Sequence, residues 1–248
     1  MSTDWLVPAW PMALGDKIGA ISSTRAGGVS DAPFDSFNLG DHVGDAPAAV
    51  TENRARFATQ LHGSRPLWLT QVHGADVVEA ADWKAGVKAD AIVVRTPGQA
   101  GVIMTADCVP VLFASLDGSV VAAAHAGWRG LAAGVLANTV SAMGVAREAI
   151  AAWIGPAIGQ AAFEVGDEVR AAFVEMNANS AVFFERNARG RWQADLVGLT
   201  MRALGAAGLT RITLAHRCTA SDARAFFSHR RSAPCGRMAT AIWIRPGA

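Results

Sequence analysis

Three side chains in this sequence have the chemistry of metal ligands, or of a nucleophile and its base: His73, Cys108 and His125. His73 follows Leu67-Trp-Leu-Thr-Gln-Val and precedes Gly74. Cys108 lies within Thr105-Ala-Asp-Cys-Val-Pro110, and His125 closes the apolar run from Val120 before Ala126-Gly-Trp-Arg-Gly130. A thiolate with two imidazoles suits zinc, and three protein ligands leave the fourth tetrahedral position open. Water taken up there has its pKa lowered towards ~7. Two other chemistries use the same residues. Cys108 could act as nucleophile with His125 or His73 as base, although the neighbouring Asp107 would raise a thiol pKa rather than lower it. A copper centre could recruit Met104 as axial ligand, but six histidines are too few for a multicopper oxidase. Zinc is the preferred reading.

Anion binding has its own candidates. Arg129 stands where an apolar run passes through a glycine-rich turn into a helical stretch, and helix starts favour anions. Arg25 and the pair Arg230-Arg231 sit among small residues in expected loops. By default each is a solvated loop charge; lining a pocket, each would hold a phosphate or carboxylate near the trio. His42 and His229 are candidates for supporting the ligands. His62, His216, Cys218 and Cys235 read as structural.

The elements that position these residues belong to an α+β pattern. The stretch from Arg25 to Gly44 is rich in glycine and aspartate and reads as loop. Asp45 is the expected N-cap of a helix with Pro47 in its first turn, running to about Leu61. Short strands are expected at Leu67–Thr70, Val77–Ala80, Ala91–Val94, Val102–Thr105 and Val109–Ser115. Asp117-Gly118 then turns the chain into a strand from Val120 to His125. Helices are expected over Leu131–Met143, Gly166–Met176 and Leu196–Ala207, with strands at Ala151–Gly155, Arg211–Ala215 and Ala239–Ile244. Strands in series with interspersed helices point to an α+β domain with mixed sheets rather than a regular βαβ repeat.

Bulk properties narrow the function classes. At 248 residues the chain is near the upper size of one hydrophobic core and is read as a single catalytic domain, 1–248. Lys plus Arg is 22 against 21 for Asp plus Glu, so no net field attracts nucleic acid or an anionic membrane. Cysteines at 108, 218 and 235 match no disulfide scaffold, which favours a reducing cytoplasm. Met1 to Met12 lack a basic segment followed by an apolar one. The most apolar stretches are broken well before the ~18 residues a membrane span needs. With no tyrosine, every mechanism that needs a phenol is excluded.

The motifs, taken in order, closely resemble the YfiH-type family. They are Thr70-Gln-Val-His-Gly74, Thr105-Ala-Asp-Cys-Val-Pro-Val111, Ala124-His-Ala-Gly-Trp-Arg-Gly-Leu131, Trp153-Ile-Gly-Pro-Ala-Ile-Gly159, Phe163-Glu-Val-Gly166, Phe226-Phe-Ser-His-Arg-Arg231 and Gly236-Arg-Met-Ala239. The resemblance runs from about Arg25 to Trp243, and its His-Ala-Gly-Trp-Arg-Gly segment is highly specific. That family has been described as laccase-domain or multicopper polyphenol oxidoreductase, as purine nucleoside phosphorylase, and as peptidoglycan editing factor.

The resemblance implies a zinc site made of His73, Cys108 and His125, within a layered fold like the catalytic domain of cytotoxic necrotizing factor. It implies small-molecule substrates: phosphorolysis of adenosine, inosine and methylthioadenosine, and deamination of adenosine. The alternatives it carries are an amidohydrolase that edits serine-containing peptidoglycan precursors and a copper-dependent polyphenol oxidase. Arg129, with Arg25 or Arg230, is the candidate phosphate holder, and the oligomeric state is left open. One departure is visible: Ser232 follows the paired arginines, where the family often has Asp. If that Asp pairs Arg231 in relatives, the arginine here needs other partners.

Overall fold

The computed structural model describes residues 5–11 and 14–246, so residues 1–4 and 12 of the Met1–Met12 stretch lie outside the described residues. Its frame is a pair of mixed sheets packed face to face, with helices on both outer sides. Strands and helices are numbered along the chain. One sheet has the order β12 (Arg211–Leu214), β8 (Ile150–Ile154), β6 (Val109–Ser115), β7 (Val121–Ala126), β4 (Ala91–Val94), β3 (Val77–Glu79). The other has the order β1 (Ile18–Ser22), β13 (Met238–Ile244), β5 (Gln99–Thr105), β2 (Arg65–Trp68). A small third sheet holds β10 (Phe184–Arg186), β11 (Trp192–Ala194) and β9 (Glu164–Val165). The pairs β12–β8, β3–β4 and β2–β5 are parallel, and the other pairs are antiparallel.

The two-residue period of a strand explains the layering. On β4, β6 and β7, Val93, Val111, Phe113, Ala122 and Ala124 point outward. They pack on α2 (Trp128–Ala132), α3 (Val135–Met143), α4 (Asp167–Val174) and α5 (Leu196–Ala206) through Leu131, Val135, Val140, Phe173 and Leu199. Their neighbours Ile92, Leu112, Ala114, Val121 and Ala123 point inward and meet Ile18, Leu67, Ile103, Ile242 and Ile244 of the facing sheet. The far side of that second sheet presents Val102, Ala241 and Trp243 to Phe57 of α1 (Pro47–Thr59) and to the loop residues Phe37 and Leu39. Strands buried on both faces read as unbroken apolar runs, which is how they stood out in the sequence. The α+β sandwich expected from the sequence is the fold observed.

Several boundaries differ for physical reasons. Helix α1 is capped by Ala46, not Asp45; the Asp45 carboxylate instead accepts from the Ala46 N–H and from the Asn38 side chain. The helix expected over Leu131–Met143 is two helices, because Gly134 adopts φ 88° between them. Strands β1, β9, β10 and β11 were not anticipated. The last three have two or three residues each, too few for a period to show.

The sheets approach closely at Gly101, where an added Cβ would lie 2.8 Å from Ile92 Cγ2. Gly101→Val is therefore expected to destabilise the protein by about 1–3 kcal/mol through overpacking. Urea unfolding would read this, and an unchanged midpoint would contradict the close contact.

Candidate metal centre

The three ligand-type residues arrive from both large sheets. His73 lies in the turn that follows β2, Cys108 in the link between β5 and β6, and His125 one residue before the end of β7, opposite Pro110. Their donor atoms all lie within 4.8 Å of one another. Cys108 Sγ is 4.0 Å from His73 Nε2, and the two imidazole rings meet edge to face with centroids 4.8 Å apart. His125 is buried, Cys108 half-buried and His73 exposed.

Asp90, fully buried in front of β4, organises the group. Its carboxylate faces His125 Nδ1 at 2.8 Å and accepts the backbone N–H groups of Val72, His73 and Gly74 at 3.1, 3.0 and 2.7 Å. Its carbonyl accepts the His125 N–H at 2.7 Å. One carboxylate thus fixes the ring of one histidine and the backbone of the other. The His73 turn needs such support, since His73 sits at φ 59°, a region that costs a residue with a Cβ. Gln71 adds a second tie: its amide oxygen accepts from Met104 N–H at 2.7 Å and its amide nitrogen donates to Met104 O at 2.8 Å.

The electrostatics follow from this packing. Burial works to raise the Asp90 pKa, but the bonds from His125 and from the Gly74 and Val72 amides outweigh it, and the carboxyl lies below its ordinary value. Burial likewise pushes the Cys108 thiol up, yet the attraction of His125 and hydrogen bonding to both imidazoles bring it down to about 6. Burial would lower His125, whereas Cys108 and Asp90 together raise it to about 9. Cys108 and His125 thus shift each other towards their charged forms, and a cation held by the two would compete with the proton.

The residues fit a tetrahedral ion. Zinc bonds to nitrogen and sulfur would place the donors about 3.4–3.6 Å apart, so a pair at the 4.8 Å limit would have to close by about 1.2–1.4 Å. With Nδ1 engaged by Asp90, His125 presents Nε2, the arrangement in which a carboxylate sets the tautomer of a ligating histidine. Space is kept open by Gly127, where an added Cβ would fall 2.9 Å from His73 Cδ2 and 3.0 Å from Cys108 Sγ.

The trio forms one wall of a cavity of about 360 Å³, a volume suited to a small organic ligand. Facing it are His42, Phe163, His229, Arg230 and Arg237. Of the arginines singled out in the sequence, Arg230 lines this cavity, with its guanidinium 5.2 Å from the Phe163 ring centroid and donating to Glu164 O at 2.5 Å. Arg25 lies elsewhere, paired with Asp35 at 3.2 Å and stacked on Phe227. Arg129 is exposed on α2 and packs over Trp128. Arg231 donates to the carbonyls of Thr219, Ala220 and Phe226, so it is fixed without any acidic partner and Ser232 is no deficit. Met104 also lines the cavity, but its sulfur is 3.6 Å from the Arg54 guanidinium. Sequence reasoning missed Asp90, Gln71 and Arg237. A lone acid directly before the apolar run Ala91–Val94 was the one available sign of Asp90.

A layered α+β protein with a buried carboxylate orienting a His–Cys–His cluster is thereby defined. The chain belongs to the family described as multi-copper polyphenol oxidoreductase laccase, whose profile matches residues 19–245. It is 51% identical to a purine nucleoside phosphorylase of Pseudomonas aeruginosa over 242 residues, covering 97% of this chain and 98% of the relative. It is 48% identical to the purine nucleoside phosphorylase YfiH of Escherichia coli, over 96% of this chain and 98% of that one. Among solved structures it resembles a Neisseria meningitidis protein with TM-score 0.93 at 42% identity, covering 98% of this chain and 99% of that one. YlmD from Geobacillus stearothermophilus follows with TM-score 0.89 at 30% identity, covering 98% and 100%.

Asp90→Asn keeps the shape but weakens the hold on His125 and on the 72–74 amides. Zinc affinity, read by competition with a chromogenic chelator, is expected to fall about 10- to 100-fold. Gly127→Ala should also weaken binding by filling the space between the ligands. Wild-type affinity in both variants would remove Asp90 and Gly127 from the account of the site.

Proposed function

We propose that the chain is a zinc-dependent purine nucleoside phosphorylase acting on adenosine, inosine and methylthioadenosine, with adenosine deamination as a second activity of the same site. The observation that carries this reading is the single cavity with a metal-competent trio on one wall and the Arg230 guanidinium on another. The names of relatives at 48–51% identity over nearly the whole chain support it. In this reading the chain is one catalytic domain, and its three unpaired cysteines favour a reducing cytoplasm.

His73, Cys108 and His125 would hold the ion, which when bound supplies a Lewis acid and an activated water. Arg230 holds inorganic phosphate by charge and hydrogen bonding, with Phe163 limiting its swing. Phosphorolysis needs the phosphate oxygen placed against the anomeric carbon while the bond to the purine nitrogen breaks and the base takes a proton. Histidines 42 and 229 line the same cavity and are the groups placed to supply it. Arg25 and Arg129 receive no role in this reading because neither lines the cavity.

A second reading uses the same wall. In the amidohydrolase alternative, water activated by the bound ion would attack an amide carbonyl of a serine-containing cell-wall precursor; as a separate chemistry, Cys108, His125 and Asp90 stand in the order of nucleophile, base and orienting acid. Copper-dependent phenol oxidation rests on the family description alone. Among the described residues, one cluster of three ligand-type side chains is present, and the Met104 sulfur faces Arg54.

The test is to incubate zinc-loaded protein with adenosine or inosine, with and without phosphate, and to separate the products. Free base with ribose 1-phosphate is expected only when phosphate is added, and inosine should form from adenosine without it. Cys108→Ala should lose at least about a hundredfold in both. If neither nucleoside is consumed, the reading fails, and release of serine from the precursor would install the second one.

A further inference from the structure

Asp107 stands next to a ligand-type cysteine without joining the cluster, and its backbone is held at φ 95°. Glycine is the residue for which such a conformation is cheap. A side chain kept there, lining the cavity, points to a task that needs it. Every acceptor of Asp107 is engaged, two of them by the 218–231 loop and the third by the segment at Ile158. Oδ1 accepts from the buried Thr219 hydroxyl at 2.7 Å, Oδ2 from the Arg230 N–H at 2.7 Å, and the carbonyl from the Ile158 N–H at 2.9 Å.

The loop gripped by those bonds, 218–231, is closed on itself. Arg231 near its end donates to the carbonyls of Thr219 and Ala220 at its start and of Phe226 within it. Cys218 is bridged to Ala157, while Phe226 and Phe227 pack under the loop beside Cys235 and Met238. It therefore behaves as one body, and its last residues, His229 and Arg230, face the cavity. The Arg230 side chain has one polar anchor of its own, the Glu164 carbonyl. Its backbone N–H is bonded to Asp107 Oδ2.

We propose that Asp107 is a positioning residue that clamps the 218–231 loop to the turn bearing Cys108, and so sets where the Arg230 guanidinium stands over the cavity. The clamp makes the metal-ligand turn and the anion-holding arm one rigid unit. The proposal rests on the reading of Arg230 as phosphate holder, and its test has an arm that does not depend on that reading.

Two variants separate the possibilities. Asp107→Gly removes the carboxylate and relieves the backbone; Thr219→Val removes one bond and leaves Asp107 in place. The readouts are trypsin cleavage after Arg224 and Arg230, zinc content, and KM for inorganic phosphate against kcat with inosine. Cleavage within the loop should rise about tenfold or more in Asp107→Gly, and less in Thr219→Val. Zinc content should stay at the wild-type level, and KM for phosphate should rise by a larger factor than kcat falls. Unchanged loop cleavage in both variants would overturn the proposal, as would cleavage that accelerates equally along the whole chain. A looser loop with an unchanged KM for phosphate would overturn the positioning role. If wild-type protein shows no phosphorolysis, the functional reading falls separately. Protection of the loop by inorganic phosphate, present in wild type and lost in Asp107→Gly, then takes the place of KM.

Discussion

The buried carboxylate of Asp90 governs this architecture. Asp90 lies where no water reaches it, and an ion there is tolerable only if its lone pairs are filled. They are filled by three consecutive amides and an imidazole. That need is met only when the turn after β2 and the end of β7 lie side by side, which requires the two large sheets to be docked in one register. The charge that is expensive to bury thus becomes the specification for where both histidines go. The bond to His125 also selects which ring nitrogen is left for chemistry.

Around this point the structure tolerates local conflict. His73 and Asp107 both occupy positive φ, and both are held there by bonds to groups outside their own segment. Gly127 supplies the reverse device, an absence of side chain where three donors must approach one volume. Cys108 and His125 are shifted in opposite directions by one another, so the site is polarised before any ligand arrives. The facing wall, with Arg230, Arg237 and two histidines, is suited to an anion without giving the chain an excess of positive charge.

Much of this was legible in the sequence. The strands of the two facing sheets stood out because both of their faces are buried, and β4 and β6 fall on the expected residues. His73, Cys108 and His125 were legible as reactive types at strand ends, although only motif resemblance joined them into a site. Asp90 was not legible, because an acid beside an apolar run looks the same whether it faces solvent or holds a turn. Arg25 and Arg129 show the converse. Their local context resembled an anion site, but neither lines the cavity: Arg25 pairs with Asp35 and Arg129 packs over its neighbour Trp128. Helix α1 has the same lesson at its start, where Asp45 serves Asn38 rather than the cap.

Strand β13 has a temporal meaning as well as a spatial one. It is inserted between β1 and β5, pairing Met238 with Thr105 just ahead of the Cys108 turn. During synthesis the residues up to His125 emerge more than a hundred positions before this strand exists, so the four-stranded sheet is two unpaired fragments for most of translation. Closure of the sheet is a late event with high contact order. The geometry that gathers the three donors therefore matures only after β13 has been delivered, and an ion held by them would be captured by the folded protein rather than by the nascent chain.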